Sequence, residues 1–217
     1  MRKQLYTALT MLASFILWTH LLHHVDVRAI GPNGSSVGFA AMNRFVHDLT
    51  GVHMTLYHIT DWLGLVPIGF AVGFAFLGLA QWIRRKDLRR VDRSLFFLGG
   101  FYIAVMAGFV FFESFVVNYR PVLINGCLEA SYPSSTTLLV LCVMPTALMQ
   151  LRCRIRQRLW RCFITASIVL FTAFMLISRL LSGVHWFSDI VGGTLLSSGL
   201  VLTYRYVFSV QNRASPS

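Results

Sequence analysis

Apolar positions along this chain collect into six long blocks, at about residues 5–22, 57–83, 94–117, 135–151, 162–181 and 188–208. A helix crosses the hydrocarbon of a bilayer in roughly 17–25 mainly apolar residues. The pattern therefore predicts an all-α, polytopic membrane protein: a bundle of six transmembrane helices. The blocks leave little room for anything else, so residues 1–217 read as a single membrane domain. The first block lacks a clear small-residue cleavage site and opens a regular series. It is read as a span and not as a cleaved signal peptide. Composition agrees, with 56% hydrophobic residues among 217 and a mean hydropathy of +0.65, too apolar for an ordinary soluble domain.

Charge orients the blocks. The stretch 84–93 carries six basic residues and the stretch 152–161 carries five. With Arg2, Lys3, Arg205 and Arg213 they place fifteen of the nineteen Lys and Arg on one side. Only Arg28, Arg44, Arg120 and Arg179 fall on the other. By the positive-inside rule both termini and the two basic loops are cytoplasmic. The net charge of +11 then reflects topology and contact with anionic headgroups. It does not indicate nucleic acid, because the basic loops are short and adjoin span ends. A short chain with this charge pattern suits a multi-pass protein of a bacterial plasma membrane.

The longest stretch outside the blocks is the outer loop, 23–56. Its second half is amphipathic: Val37, Phe39, Phe45, Val46 and Leu49 can lie on the membrane surface, with Asn43, Arg44, His47 and Asp48 toward water. His23, His24 and Asp26 are read as a solvated loop before a metal site. Of the four cysteines, Cys142 lies within a block, Cys153 and Cys162 flank a cytoplasmic loop, and only Cys127 faces outward. That is no disulfide framework. Residues 212–217 read as a disordered tail.

Candidate chemistry sits in Ser178–Asp189, SRLLSGVHWFSD. Ionisable residues in apolar surroundings are costly, which makes them functional candidates. If a helix begins near His185, Asp189 shares its face, and the carboxylate can hold the imidazole. The other ring nitrogen stays free as nucleophile or base. Arg179 lies six residues earlier across Gly183, where a turn can fold its fork back toward the same point. Arg suits a bidentate grip on phosphate, so the set suggests phosphoryl transfer. A helix-to-helix turn with incidental polar residues explains the same segment.

Two further stretches emerge on that outer face. The third block ends in Glu113 and runs into Asn118-Tyr119-Arg120-Pro121. Residues 129–137, EASYPSSTT, open the fourth block with hydroxyl side chains after a proline. Capping alone explains these serines, yet the free N–H groups of such a turn also bind anions. His58 and Asp61 lie at the outer mouth of the second block, where Asp61 can cap the helix.

These motifs resemble the type-2 phosphatidic acid phosphatase family, whose helical core is shared with vanadium haloperoxidases. The family pattern is Lys-x6-Arg-Pro, then Pro-Ser-Gly-His, then Ser-Arg-x5-His-x3-Asp. Ser178, Arg179, His185 and Asp189 match the third motif completely. Arg120-Pro121 matches the first, with Glu113 in the Lys position. Pro133-Ser134 matches the second, with Ser135 in the Gly position and Thr136 in the His position. The resemblance implies that His185 attacks phosphorus to form a phosphohistidine and that Asp189 orients it. Arg120 and Arg179 would neutralise phosphate oxygens, together with Ser134, Ser135, Thr136 and Ser178 and nearby backbone amides. No metal or other cofactor is implied. The family's acid (His) and phosphate-binding Lys are replaced here, because Thr136 is no acid near neutral pH and Glu113 brings negative charge. His58 is the candidate substitute proton donor.

The function so implied is hydrolysis of a phosphorylated lipid at the extracytoplasmic leaflet, with an isoprenoid diphosphate favoured by the missing acid. Two alternatives stand beside it: phosphotransfer from the phosphohistidine to a lipid or sugar, and a non-catalytic protein that binds lipid phosphate.

Overall fold

In hydrocarbon a backbone must satisfy its own N–H and C=O groups, which long apolar blocks do by forming helices. The computed structural model describes residues 2–214, and among these eight α-helices form and no strand. They are α1 (Arg2–Leu22), α2 (Ala40–Thr50), α3 (Met54–Leu63), α4 (Leu65–Arg85), α5 (Arg93–Ser114), α6 (Ser135–Arg154), α7 (Arg158–Leu181) and α8 (Phe187–Ala214).

Five helical segments are long and apolar enough to cross a membrane: α1, α3 with α4, α5, α6 and α7. The expected sixth, α8, spans 28 residues but is not among them. The reason lies in its position. It packs chiefly against α1 and α6, with α2, α5 and α7 also touching it, so polar residues such as Ser188, Asp189 and Ser197 are buried against protein. Small residues let the backbones close in. A Cβ at Gly199 would lie 2.6 Å from Leu12 of α1, and one at Gly192 would lie 2.4 Å from the Tyr132 ring. Large apolar side chains instead cover the outward surfaces of the other spans, among them Ile16, Phe76, Ile103 and Leu170.

Several boundaries differ from the sequence expectation. Helix α3 begins at Met54, so Asp61 sits in its last turn and does not cap it. The N–H of Gly64 reaches back to Thr60 O (3.0 Å) and Asp61 O (3.1 Å), which carries helical bonding into α4. Together Met54–Arg85 make 32 residues, about 48 Å of helix, longer than a ~30 Å hydrocarbon layer requires. The basic stretch 152–161 is mostly helix, because α6 runs to Arg154 and α7 starts at Arg158. Basic side chains at the last turn of α4 and α6 complement the negative end of each helix dipole. Asp92 gathers this end, with Arg85 at 3.5 Å and Arg154 at 3.7 Å. Residues 212–214 of the expected tail continue α8, and 215–217 lie outside the described residues.

The amphipathic outer segment does form a helix, α2, with Phe45 and Leu49 exposed. Asn43, expected to face water, is fully buried. Its Oδ1 accepts from the Ser188 N–H (3.0 Å) and its Nδ2 donates to Ser188 Oγ (2.9 Å). A side chain from α2 thus caps the start of α8, two residues past His185. Asp26 caps α2 in turn, accepting from the Ala41 N–H at 2.7 Å. That backbone bond, helped by Arg28, holds its carboxyl below the ordinary range. His23, His24 and Asp26 assemble no metal-holding group among the described residues.

Candidate active site

The site forms where α7 ends and α8 begins. Helix α7 stops at Leu181, and Gly183 takes a left-handed φ of +67° while its Cα packs on the Gly51 carbonyl. A Cβ there would sit 1.9 Å from Gly51 O, so only glycine makes this turn. The turn leaves Arg179 on the last turn of α7 and His185 just before α8. Both are buried, at 1% and 3% exposure, as is Asp189 at 0%.

Around His185 the hydrogen bonds assign the tautomer. Nδ1 lies 3.1 Å from the Ser131 carbonyl, an oxygen that can only accept, so Nδ1 carries the hydrogen. Nε2 then presents its lone pair, toward Arg120 Nη1 at 3.4 Å. Burial holds the imidazole well below its ordinary pKa, and the positive charges of Arg120 and Arg179 push it the same way. The ring is neutral, with its nucleophilic atom pointed at a guanidinium.

Asp189 does not reach that ring by a hydrogen bond, since Oδ2 is 3.8 Å from Nδ1. It accepts instead from the Trp186 N–H (2.9 Å) and from Asn118 Nδ2 (3.2 Å). The carboxylate therefore ties the His185 segment to the 118–120 loop and remains close enough to stabilise a cationic ring. The segment is braced further by Trp186 Nε1 on Tyr119 O (2.8 Å) and Trp18 Nε1 on Ser188 O (3.1 Å).

The two arginines differ. Arg120 Nε lies 3.0 Å from Glu129 Oε2, an ion pair whose N–H is not aligned for a hydrogen bond. Arg179 has no carboxylate within ion-pair distance among the described residues. Nη1 donates to Thr60 Oγ1 at 3.1 Å and Nε has no partner. Its guanidinium rests on the Tyr57 ring at 4.9 Å, and that of Arg120 approaches the same ring at 5.8 Å. Two buried cations thus flank one aromatic ring beside a neutral imidazole, and one of them lacks a counter-charge.

The second motif docks onto the third, with the Ser134 N–H on Asp189 O at 3.2 Å. The first helical bond of α6 runs from Leu138 N to Ser134 O, so the N–H groups of residues 135–137 lack helical partners. Ser135 and Glu113 line a narrow cleft with His185 and Ser131. Thr136 lines a separate apolar cavity of about 270 Å³ between α4, α5 and α6, with Asp61 and again Ser135 on its wall. Glu113 pairs with neither Arg120 nor Arg179. His58 is exposed, its ring tilted against that of Tyr57 with centroids 5.2 Å apart. Ser178 is buried, and its carbonyl accepts the Ser182 N–H at the end of α7.

Residues 110–213 match the model of the PAP2 superfamily. The matched stretch covers just under half of the chain. It contains all three motifs, from Glu113 to Asp189. Among solved structures, the fold is similar to a transmembrane PAP2-type phosphatidylglycerolphosphate phosphatase from Bacillus subtilis. That match has a TM-score of 0.57 and 16% identity over 94% of this chain and 97% of the other. At this identity the likeness is one of fold. A comparison with curated proteins finds no significant match.

Sequence reasoning missed Tyr57, Thr60, Asn118, Glu129 and Ser131 as parts of this site. Tyr57 and Thr60 carry only a weak signal, a three-residue spacing that puts them on one face of α3. Ser131 acts through its backbone carbonyl, which no residue type reveals.

Proposed function

We propose that the protein is a membrane lipid phosphatase acting through a phosphohistidine on His185 at the extracytoplasmic face. One observation carries this reading: a buried Arg179 with no carboxylate within ion-pair distance among the described residues shares the Tyr57 ring with Arg120, whose Nη1 lies 3.4 Å from the lone pair of a neutral His185. Such a charge is costly unless an anion completes it, and a phosphate oxygen is the anion that an Arg fork fits.

A bound phosphoryl group draws Arg120 Nη1 from Nε2 and uncovers the lone pair. Nε2 then attacks phosphorus and the bond to the leaving group breaks. Arg120, Arg179 and the N–H groups of residues 135–137 meet the charge on the equatorial oxygens. The ring becomes cationic while Nδ1–H stays on Ser131 O, with Asp189 beside it. The apolar cavity next to Ser135 suits the first part of a lipid chain reaching in between α4 and α5.

In this reading α8 is the sixth span and both termini are cytoplasmic. The native cysteines test it, because Cys127, Cys153 and Cys162 are all exposed. In single-cysteine variants, an impermeant thiol reagent added to intact cells should label Cys127 and spare the other two. The reverse pattern would put the site in the cytoplasm.

The substrate class follows from the leaving group. A lipid monophosphate expels an alkoxide, which needs a proton, whereas a diphosphate expels a phosphate monoester that leaves as an anion. Lack of a general acid removes roughly 100- to 10,000-fold in rate, and here the loss falls on monophosphates. The purified protein should hydrolyse an isoprenoid diphosphate faster than phosphatidic acid, and Thr136→His should narrow the gap. Preference for monophosphates would refute the leaving-group argument. No phosphate release from either class, even in Thr136→His, would favour a non-catalytic lipid-phosphate binding protein.

A further inference from the structure

We infer that Glu113 is the base that activates water for hydrolysis of the phosphohistidine, a role that rests on the phosphatase reading above. An acid at this point is not explained by stability. Glu113 occupies the last turn of α5, where the helix dipole disfavours negative charge. It has no ion pair or side-chain hydrogen bond among the described residues. What it does share is the cleft of His185 and Ser135, whose other walls include Phe109, Phe112 and Tyr132.

The second half of the reaction needs a proton acceptor in that cleft, and the remaining groups fail for separate reasons. His185 carries the phosphoryl group. Both oxygens of Asp189 are engaged, by Asn118 and the Trp186 N–H, and its side chain is fully buried. Glu129 is held by Arg120. Asp61 and Thr136 line the wider cavity and not this cleft. His58 lines neither. Glu113 is left, a solvent-exposed carboxylate with no ion pair among the described residues.

The steps balance. In the first, Nε2 bonds to the terminal phosphorus, the P–O bond of the diphosphate bridge breaks, and the lipid monophosphate departs with the electron pair, needing no proton. In the second, water oxygen bonds to phosphorus, its proton passes to the Glu113 carboxylate, and the P–N electron pair returns to Nε2. Inorganic phosphate leaves and Glu113 returns its proton to solvent. The chain has thus lost an acid at position 136 and gained a base at position 113. A carboxylate serves the step that follows an easy leaving group.

The test is a single-turnover experiment with a lipid diphosphate carrying ³²P at its terminal phosphorus, quenched in alkali to preserve the P–N bond. Wild type should show protein-bound label that rises and decays. Glu113→Gln should gain label at the wild-type rate and lose it roughly 100- to 10,000-fold more slowly. Glu113→Asp, which keeps a carboxylate at this place, should retain part of that decay, which a merely structural defect would not explain. Wild-type decay in Glu113→Gln overturns the proposal. So does a folded Glu113→Gln protein, judged by its Tm in detergent, that gains no label at all. Absence of both label and phosphate release in wild type defeats the phosphatase reading and this inference with it.

Discussion

His185→Ala should abolish phosphate release from a lipid diphosphate, and no phosphorylated protein should form. The expected loss is that of removing a nucleophile, on the order of 10⁶-fold in kcat. Structure limits the side effects, since the ring's one protein acceptor is the Ser131 carbonyl and Asp189 keeps its bonds to Asn118 and Trp186. The variant should still insert and purify as the wild type does. The same geometry sets the acid side of the pH profile. For free enzyme, kcat/KM follows the protonation of His185, and burial with Arg120 and Arg179 holds its pKa well below the ordinary value. The ring should therefore stay neutral as pH falls through 6.5, and the limb that reports it should lie lower. Measuring kcat/KM from pH 4 to 8 checks this. Full activity in His185→Ala sinks the nucleophile assignment, and a limb at the ordinary imidazole value contradicts the described electrostatics.

Methionine at Arg179 should separate stability from function. Arg179 is 1% exposed, with one side-chain hydrogen bond, one aromatic face and no carboxylate within ion-pair distance among the described residues. Replacing buried charge by an apolar side chain of similar length is often neutral or stabilising by about 1–4 kcal/mol. Thr60 is not stranded, because its hydroxyl also donates within α3, to Tyr57 O at 2.9 Å. Arg179→Met should therefore unfold in detergent at the wild-type temperature or above. Its turnover should fall by roughly 100- to 1,000-fold, as when one donor to a developing charge is removed. Vanadate, which mimics the transferred phosphoryl group, should raise the Tm of wild type and not of the variant. A destabilised variant with unchanged turnover would make Arg179 a structural residue and remove the main support for a phosphate site.

The distance along the chain separates what was legible from what was not. The third motif could be read because its parts are close: Arg179, His185 and Asp189 lie within eleven residues, and one turn at Gly183 joins two helices. Five of the six expected spans could be read because hydrocarbon admits few backbone solutions. Position 113 shows the limit. Its identity suggested a charge brought against phosphate or paired with Arg120 or Arg179. The fold supplies Glu129 as the partner of Arg120 and leaves Glu113 facing the His185 cleft.

The sequence by itself determined the helical character, the series of apolar segments and the charge asymmetry between their ends. It also placed a histidine, an aspartate and an arginine at one helix junction. These follow from local rules: hydropathy, helical period and the conformational freedom of glycine. Only the tertiary structure decided the state of those groups. The Ser131 carbonyl, 54 positions away, assigns the tautomer of His185. Asn118, 71 positions away, takes one oxygen of Asp189, and Asn43, 145 positions away, caps the helix behind them. A hydrogen bond acts over about 3 Å, and only the packing of distant segments brings such partners within that range.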